Sequence, residues 1–508
     1  MRQVQLLLGL LLTGAIHTAS AAPAESAQAA ASSAGAITQG ATINGKAFFD
    51  QNNNRLLFRG VGFQPVNGVD PLIDVGGKPN PVIQALLQSS NKYSFKNLNI
   101  NALRVYQVSH NKPHAKTMNL LAQNGIYVIV GLANDPYGTN IPQNPASGQH
   151  PYPSQFKVRV QQIIDEFQAY PNVLSFEIAN EVTDPGAEGK GTPTQLNAAA
   201  AIKSAANDAK TYMSTKTYRA IPVGVAMQDT PDNESTVAQY YASSACNGLP
   251  LDYIGINTYR YVPPGGNTAA YEGLVSDYSI GNYSIPVILS EYEAGLTSGN
   301  RDFLDVPSFY NDATVSSNIS GGFAYQYIGD GSGAGSGFAL VKLGKGSKGL
   351  NGKTDVKNLK PAWPNNAFAN LAAQYQTMLT KAPYAAPSSP AESLACPSNF
   401  NPPLCVVGSS NCSGTPPSAV EITVQANQAG QYPMAVVQGG SQIAPPSPIS
   451  DNNVHSVTVD PTQQLLLQQT TTWYTICTVA ANTLTANSAV TIPAASWGGA
   501  CTVTTPGH

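Results

Sequence analysis

Between about residues 40 and 383 the chain repeats one pattern: a short apolar run, a polar loop, then apolar positions recurring every three or four residues. The apolar runs predict strands at Phe58–Gln64, Ala102–Val108, Tyr127–Ala133, Val173–Glu181, Ala220–Ala226, Tyr253–Tyr259, Pro286–Tyr292 and Gly321–Ile328. The spaced positions predict intervening helices, as in residues 154–170, where Phe156, Val160, Ile163, Ile164 and Phe167 share one face. Strands alternating with helices in this way predict an α/β fold, a (β/α)8 TIM barrel. An open doubly wound sheet is the other reading, because alternation alone does not close a sheet. A hairpin with its turn at Asn44-Gly45 is expected ahead of the first barrel strand.

The pattern breaks at residues 385–395, AAPSSPAESLA. Beyond it, VEITVQA, YPMAVVQ, VHSVTVD and TTTWYTICTVA are alternating or β-branched runs with no helical spacing between them. They predict a small, disulfide-containing, β-sandwich-like domain. The expected organisation is therefore a signal peptide (1–21), a disordered Ala/Ser-rich segment (22–39), a barrel (40–384), a Pro/Ser-rich, Cys-containing linker (385–419) and a C-terminal β domain (420–508).

Composition sharpens this picture. Charged residues are only 11% of the chain, with 26 Lys+Arg against 29 Asp+Glu, a formal net charge of −3. Nucleic acid is excluded as a partner, since phosphate binding needs clustered cations. Arg2, the apolar stretch from Leu6 to Ile16 and the small residues Ala19-Ser20-Ala21 form a secretory signal pattern, too short to span a bilayer. No later transmembrane segment is expected, and the protein reads as secreted or held at a cell surface or wall. Asn233, Asn282, Asn318 and Asn411 begin glycosylation sequons. Cys396, Cys405, Cys412, Cys477 and Cys501 lie beyond the barrel and Cys246 lies within it. That leaves an odd thiol in each part unless a bridge joins them.

Two carboxylates occupy matching places. Glu181 ends the fourth predicted strand and Glu291 the seventh. In a barrel, the C-terminal strand ends converge on one mouth, where active sites form. Glycoside hydrolysis needs such a pair, one carboxyl to protonate the leaving oxygen and one to attack the anomeric carbon, about 5–5.5 Å apart in a retaining enzyme. Taken singly, each is one loop acid among 29 Asp+Glu residues. Glu177 shares a strand face with Glu181 and belongs deeper in the barrel, in a structural role. Glu293 is a weaker competitor for the role of Glu291.

The ordered stretches LLFRGVGFQP, NALRVYQV, LLAQNGIYVIVGL, YPNVLSFEIANEV, YRAIPVGVA, DYIGINTYRY, YSIPVILSEYEAG and SGGFAYQYI resemble the catalytic domain of glycoside hydrolase family 72, the fungal-type β-1,3-glucanosyltransferases. The resemblance implies a retaining transglycosylase with Glu181 as acid/base and Glu291 as nucleophile. Asn180 would hydrogen-bond the sugar 2-hydroxyl, Tyr259 would orient the nucleophile, and Gln64, Tyr106 and Tyr325 would line the substrate site. Core packing is the competing role for each tyrosine, and for Tyr325 and its neighbour Tyr327 the two readings are balanced. The chain departs from the family in two places. Val130-Gly131-Leu132 replaces an Asp-bearing strand end, with Asn134 or Asp135 as substitutes. Glu293-Ala294 replaces a Gly-Cys pair, which implies that Cys246 has lost its partner and is a buried free thiol.

Other signals are weaker. His110 and His114 have metal-ligand spacing, but Pro113 intervenes and no acid completes a zinc set, so no metal is expected. The glycine-dense run at 329–337 follows the last predicted strand rather than opening a βαβ unit. SKGLNGKT at 347–354 has Ser347 in place of the first glycine and no buried strand leading into it, so neither reads as a phosphate loop. No cofactor is implied, because carboxylate chemistry suffices. The expected partners are a β-glucan donor and acceptor. The alternatives are a β-glucan or β-mannan hydrolase of the same barrel class, and a non-catalytic wall-polysaccharide binding protein. In the tail, Trp473, Tyr474 and Trp497 are either sugar platforms or core.

Overall fold

The computed structural model describes residues 36–134, 136–146, 149–185, 190–261, 268–292, 301–329, 336–345, 350, 352–362, 366–378, 387, 394–409 and 412. In the tail it describes 420–426, 434–438, 441–449, 454–459, 465–469, 475–480, 489–492 and 499–504. The expected signal peptide, residues 22–35 of the Ala/Ser-rich segment, Asp135, Glu293, Asn411, Trp473, Tyr474 and Trp497 lie outside these residues, as does much of both glycine-containing loops.

Eight parallel strands close into a barrel: β1 (Phe58–Gly62), β2 (Ala102–Val105), β3 (Tyr127–Gly131), β4 (Val173–Asn180), β5 (Val223–Gln228), β6 (Tyr253–Thr258), β7 (Val287–Tyr292) and β8 (Ile319–Ala324). Closure is made by β8 on β1, with Gly321 opposite Phe58 and Ala324 opposite Val61. This pairing removes both sheet edges and excludes the open-sheet alternative. Several strands end earlier than their apolar runs, because apolar residues continue into the loops that cover the barrel mouth.

Helices pack outside through the faces their spacing predicts. They include α1 (Pro81–Leu86), α2 (Ala115–Gln123), α3 (Ser154–Phe167), α4 (Pro193–Thr215), α5 (Pro231–Ala242), α6 (Thr268–Asp277), α7 (Ala313–Asn318) and α8 (Ala367–Met378). On α3, Phe156, Val160, Ile163, Ile164 and Phe167 are all buried. On α4, Ala198 to Ala201, Ala205 and Ala206 are buried, and such small side chains let the backbones approach closely. Proline at the first turn and a Thr192 hydroxyl accepting from the Gln195 amide start this helix cleanly.

A three-stranded sheet of Thr42–Asn44, Ala47–Phe49 and Arg55–Leu56 plugs the N-terminal end of the barrel. Its tight turn is Gly45-Lys46, one residue later than expected, with Gly45 at φ 54°. Phe48 meets the rings of Phe58 and Tyr253, both at strand starts, at 5.1 and 5.9 Å. Gly224 makes room for this aromatic layer, since a Cβ there would lie 2.4 Å from the Tyr253 ring. Residues 36–39 are held as well: the Ile37 amide donates to Ala122 O at 2.9 Å and that of Thr38 to Gln51 at 2.8 Å.

Residues 394–409 lie as a strap across α4 and α5. Ser243 donates to Leu394 O at 2.6 Å, Gln239 to Ala395 O at 3.0 Å, and the Cys405 amide to Ser204 at 2.7 Å. Phe400 packs on Tyr240 at 5.7 Å. The expectation of a free Cys246 is corrected here: Cys246 is bonded to Cys396, 150 residues away. The strap brings a tail cysteine to the barrel, which spacing along the chain could not reveal. Cys405 bonds to Cys412, Cys501 is also disulfide-bonded, and no cysteine is free among the described residues.

The tail forms a four-stranded sheet, in the order Val454–Val459, Val420–Ala426, Ala489–Ile492, Thr502–Thr504. A five-stranded sheet follows the order Ser441–Ile449, Met434–Gln438, Leu465–Gln469, Thr475–Val479, Gly499–Ala500. The strand Ser441–Ile449 escapes sequence reading because it carries Pro445, Pro446 and Pro448. It is an edge strand whose pairing shifts register, which is where proline is tolerated. Among the described residues no helix is long and apolar enough to cross a membrane.

Replacing both Cys246 and Cys396 with serine is expected to lower stability by about 2–5 kcal/mol, because the bridge closes a long loop. Urea unfolding measures the loss, and limited proteolysis should now cut within residues 394–409.

Candidate active site

The seventh strand delivers Glu291 one residue before its end, 6% exposed. The fourth ends at Asn180, and Glu181 follows at φ 54°, a left-handed conformation uncommon for a residue with a Cβ. Both strands lose regular register as they approach the mouth, β4 against β5 between Glu177 and Asn180, and β7 against β6 between Ile288 and Glu291. Such irregularities re-aim side chains, and here they do so beside both glutamates.

Arg104 of β2 lies beneath them, fully buried. Its Nε donates to both oxygens of Glu177 at 3.1 Å, and its Nη2 to Glu177 Oε1 at 2.6 Å and Asn180 Oδ1 at 2.7 Å. Its Nη1 donates to Glu291 Oε1 at 2.8 Å, Tyr106 Oη at 3.0 Å and Ser290 O at 3.2 Å. Glu291 receives two further donors, Tyr106 at 2.9 Å on Oε1 and Tyr259 on Oε2. A guanidinium and two phenols therefore fix its orientation.

Glu181 sits differently. Among the described residues its donor is Asn257 Nδ2, 2.8 Å from Oε1, and that amide also donates to Asn180 Oδ1 at 3.0 Å. Ser290 donates to Asn257 Oδ1 at 2.7 Å and so sets which way the amide faces. Burial, and then the charge of Glu291, push the Glu181 carboxyl above its ordinary value, against the weaker pull of Asn257 and Arg104. Burial also pushes the phenols of Tyr106 and Tyr259 up, keeping them protonated donors.

All seven sequence-predicted site residues line one cavity of about 370 Å³. Gln64, Tyr106, Asn180, Glu181, Tyr259, Glu291 and Tyr325 share it with Asn67, Gln107, Gln326 and Phe338. The Gln64 amide also serves the fold: it donates to Val66 O and Val69 O and accepts from the Gln107 amide. Phe338 packs on Tyr259 and Tyr325 at 5.3 and 5.4 Å. Tyr325 thus faces the cavity. Tyr327 is core, fully buried against Phe63 and Phe95.

With one carboxyl raised above its ordinary value and a second held by three donors, the cavity can support acid-assisted displacement at an acetal carbon. The family model described as glucanosyltransferase matches residues 30–367. The chain belongs to this glucanosyltransferase family, glycoside hydrolase family 72.

Relatives within the family include a 1,3-beta-glucanosyltransferase, GAS5, of Saccharomyces cerevisiae, 31% identical over 325 residues, 63% of this chain and 60% of that protein. Another is 1,3-beta-glucanosyltransferase gas4 of Schizosaccharomyces pombe, 32% identical over 299 residues, 56% of this chain and 59% of that one. The chain thus spans about 60% of the length of these relatives. Among solved structures, Saccharomyces cerevisiae Gas2p in complex with laminaritriose and laminaritetraose is 25% identical. It aligns with a TM-score of 0.56 over 72% of this chain and 76% of that one.

Against the family pattern, the third strand end is explained by close approach. A Cβ at Gly131 would lie 2.1 Å from Tyr106 O, so a side chain cannot enter there. Asn134 is absent from the residues lining the cavity. Sequence reading missed Arg104 and Asn257 as site residues. The usable signal was strand alternation, which places Arg104 on the face of Tyr106 and Asn257 on that of Tyr259.

His114 is a structural clamp, its ring nitrogens 2.7 Å from Asp70 and 2.8 Å from Glu166. Burial alone would lower its pKa, but the two carboxylates together raise it. Glu234, in the first turn of α5, is fully buried beneath the loop that follows Glu181. It accepts from Thr183 at 2.7 Å on one oxygen, while the other has no hydrogen-bond partner among the described residues. Burial pushes its carboxyl up from 4.5 to about 8.

A carboxyl raised in the folded state contributes stability that is complete below its unfolded pKa and is lost as pH rises through the folded value. Glu234→Gln should therefore match the wild type near pH 5 and exceed its stability by roughly 1–3 kcal/mol near pH 9. Urea unfolding at both pH values tests this.

Proposed function

We propose that this chain is a secreted or cell-wall retaining β-1,3-glucan transglycosylase, with residues 40–384 as its catalytic domain. The observation that carries the reading is the unequal pair Glu181 and Glu291 in one cavity, the first raised by burial and the second bound by Arg104, Tyr106 and Tyr259. Glu181 donates its proton to the glycosidic oxygen while a Glu291 oxygen attacks the anomeric carbon. The leaving glucan departs as an alcohol, and the retained fragment becomes an ester of Glu291. Glu181, now a carboxylate, takes the proton from an acceptor glucan hydroxyl, which attacks the same carbon and frees Glu291. Asn180, held by Arg104 and Asn257, offers its amide to the sugar 2-hydroxyl. Tyr325 and Phe338 present aromatic faces to the apolar faces of a glucose ring. The laminari-oligosaccharides bound by Gas2p support a β-1,3-glucan as donor and acceptor.

Incubation with reduced laminari-oligosaccharides tests the reading. Products longer than the starting chain are expected; only shorter products would make the protein a hydrolase, and no change would make it a binding protein. Glu291→Gln should abolish turnover, and Glu181→Gln should lower it by about 10²–10⁴-fold. Activity should persist above the ordinary glutamate range and fall as pH rises through the raised value of Glu181.

A further inference from the structure

Glu177 belongs to the same buried network but reaches neither the cavity nor a reacting atom. It is 3% exposed, on the strand that carries Asn180, and it occupies the Nε side of Arg104 with both oxygens. The remaining guanidinium nitrogen, Nη1, is thereby turned toward Glu291, while Nη2 is shared with Asn180. One buried cation thus faces two buried carboxyl groups, one of them the nucleophile of the proposed reaction. Burial raises the Glu177 carboxyl above its ordinary value, and the charge and hydrogen bonds of Arg104 oppose that rise.

We propose that Glu177 is a positioning residue for glycosyl transfer: by taking up part of the charge of Arg104 and fixing its rotation, it leaves Glu291 reactive and Glu181 protonated. This rests on the transglycosylase reading. The argument is electrostatic and geometric. Opposite charges in a buried site interact far more strongly than in water. An unshared guanidinium would hold Glu291 tightly and slow its attack on carbon. Arg104 also pulls the Glu181 proton off, and a neutral residue at 177 would let that pull act in full.

The other groups facing this network are few. Tyr253 from β6 feels Glu177 and has its phenol raised, mainly by burial. Tyr106 and Tyr259 bond to Glu291, Asp184 adds a small upward push on Glu181, and Glu234 senses Glu181 in turn. Among these groups, Arg104 is the cation that acts on Glu181.

Glu177→Gln keeps the shape and removes the charge, and Glu177→Asp keeps the charge and shortens the arm. On laminari-oligosaccharides, E177Q should lose at least about tenfold in kcat, and the alkaline limb of its pH profile should move down by about half a pH unit or more. E177D should lose rate while keeping that limb in place. An unmoved limb in E177Q, or an equal shift in E177D, would reduce Glu177 to packing and overturn the proposal. Carbon NMR of wild-type protein labelled at glutamate carboxyls, with Glu177 assigned through E177D, needs no neutral variant. Glu177 ionised across the active pH range is expected, and a protonated Glu177 there would overturn the proposal. A wild type that neither lengthens nor shortens the oligosaccharides would instead overturn the transglycosylase reading, and this inference with it.

Discussion

A guanidinium buried to zero exposure is tolerable only if its donors are all answered, and Arg104 is answered by four side chains and a backbone carbonyl, from β4, β7 and Tyr106 directly after β2. Taking an ion out of water costs several kcal/mol, and the attraction of well-placed counter-ions offsets it. Glu177 and Glu291 supply those counter-ions at 2.6 and 2.8 Å. Because the three partner strands are not neighbours along the chain, this cluster can form only when the barrel has closed. Closure and assembly of the candidate site are therefore one event.

The remainder of the mouth is arranged around that cluster. The strands β4 and β7 abandon regular pairing where they meet it, and Glu181 adopts a left-handed backbone just beyond it. The opposite end of the barrel is the reverse case, a plug of aromatic rings from Phe48, Phe58, Tyr253 and Phe323 with no ionised group among them. Rigid apolar packing at one end lets the other hold charge and irregular backbone. The strap at 394–409, bonded through Cys396 to Cys246, ties the tail side of the chain to α4 and α5, on the outside of the barrel.

Much of this was legible beforehand because it is written in local periodicity. Phe156 to Phe167 announce a helix, and the apolar runs around Leu103, Ile129 and Phe176 announce strands. The ends of the fourth and seventh strands placed Glu181 and Glu291 at one mouth without any contact being known. Tyr325 and Tyr327 show where such reading stops. They are two residues apart in an apolar run, yet the first faces the cavity and the second is sealed against Phe63 and Phe95. The three prolines of Ser441–Ile449 likewise hid a strand, since whether proline is tolerated depends on lying at a sheet edge.

The sequence by itself determined the order of strands and helices, the change of style after residue 384 and the two carboxylates at matching strand ends, since each rests on neighbours within a few residues. Only the tertiary structure decided the Cys246–Cys396 bond, the Gly131 approach to Tyr106 and the sharing of Arg104 between Glu177 and Glu291. Those depend on distances between segments far apart in the chain, and on burial, which makes a charge costly and its partners necessary.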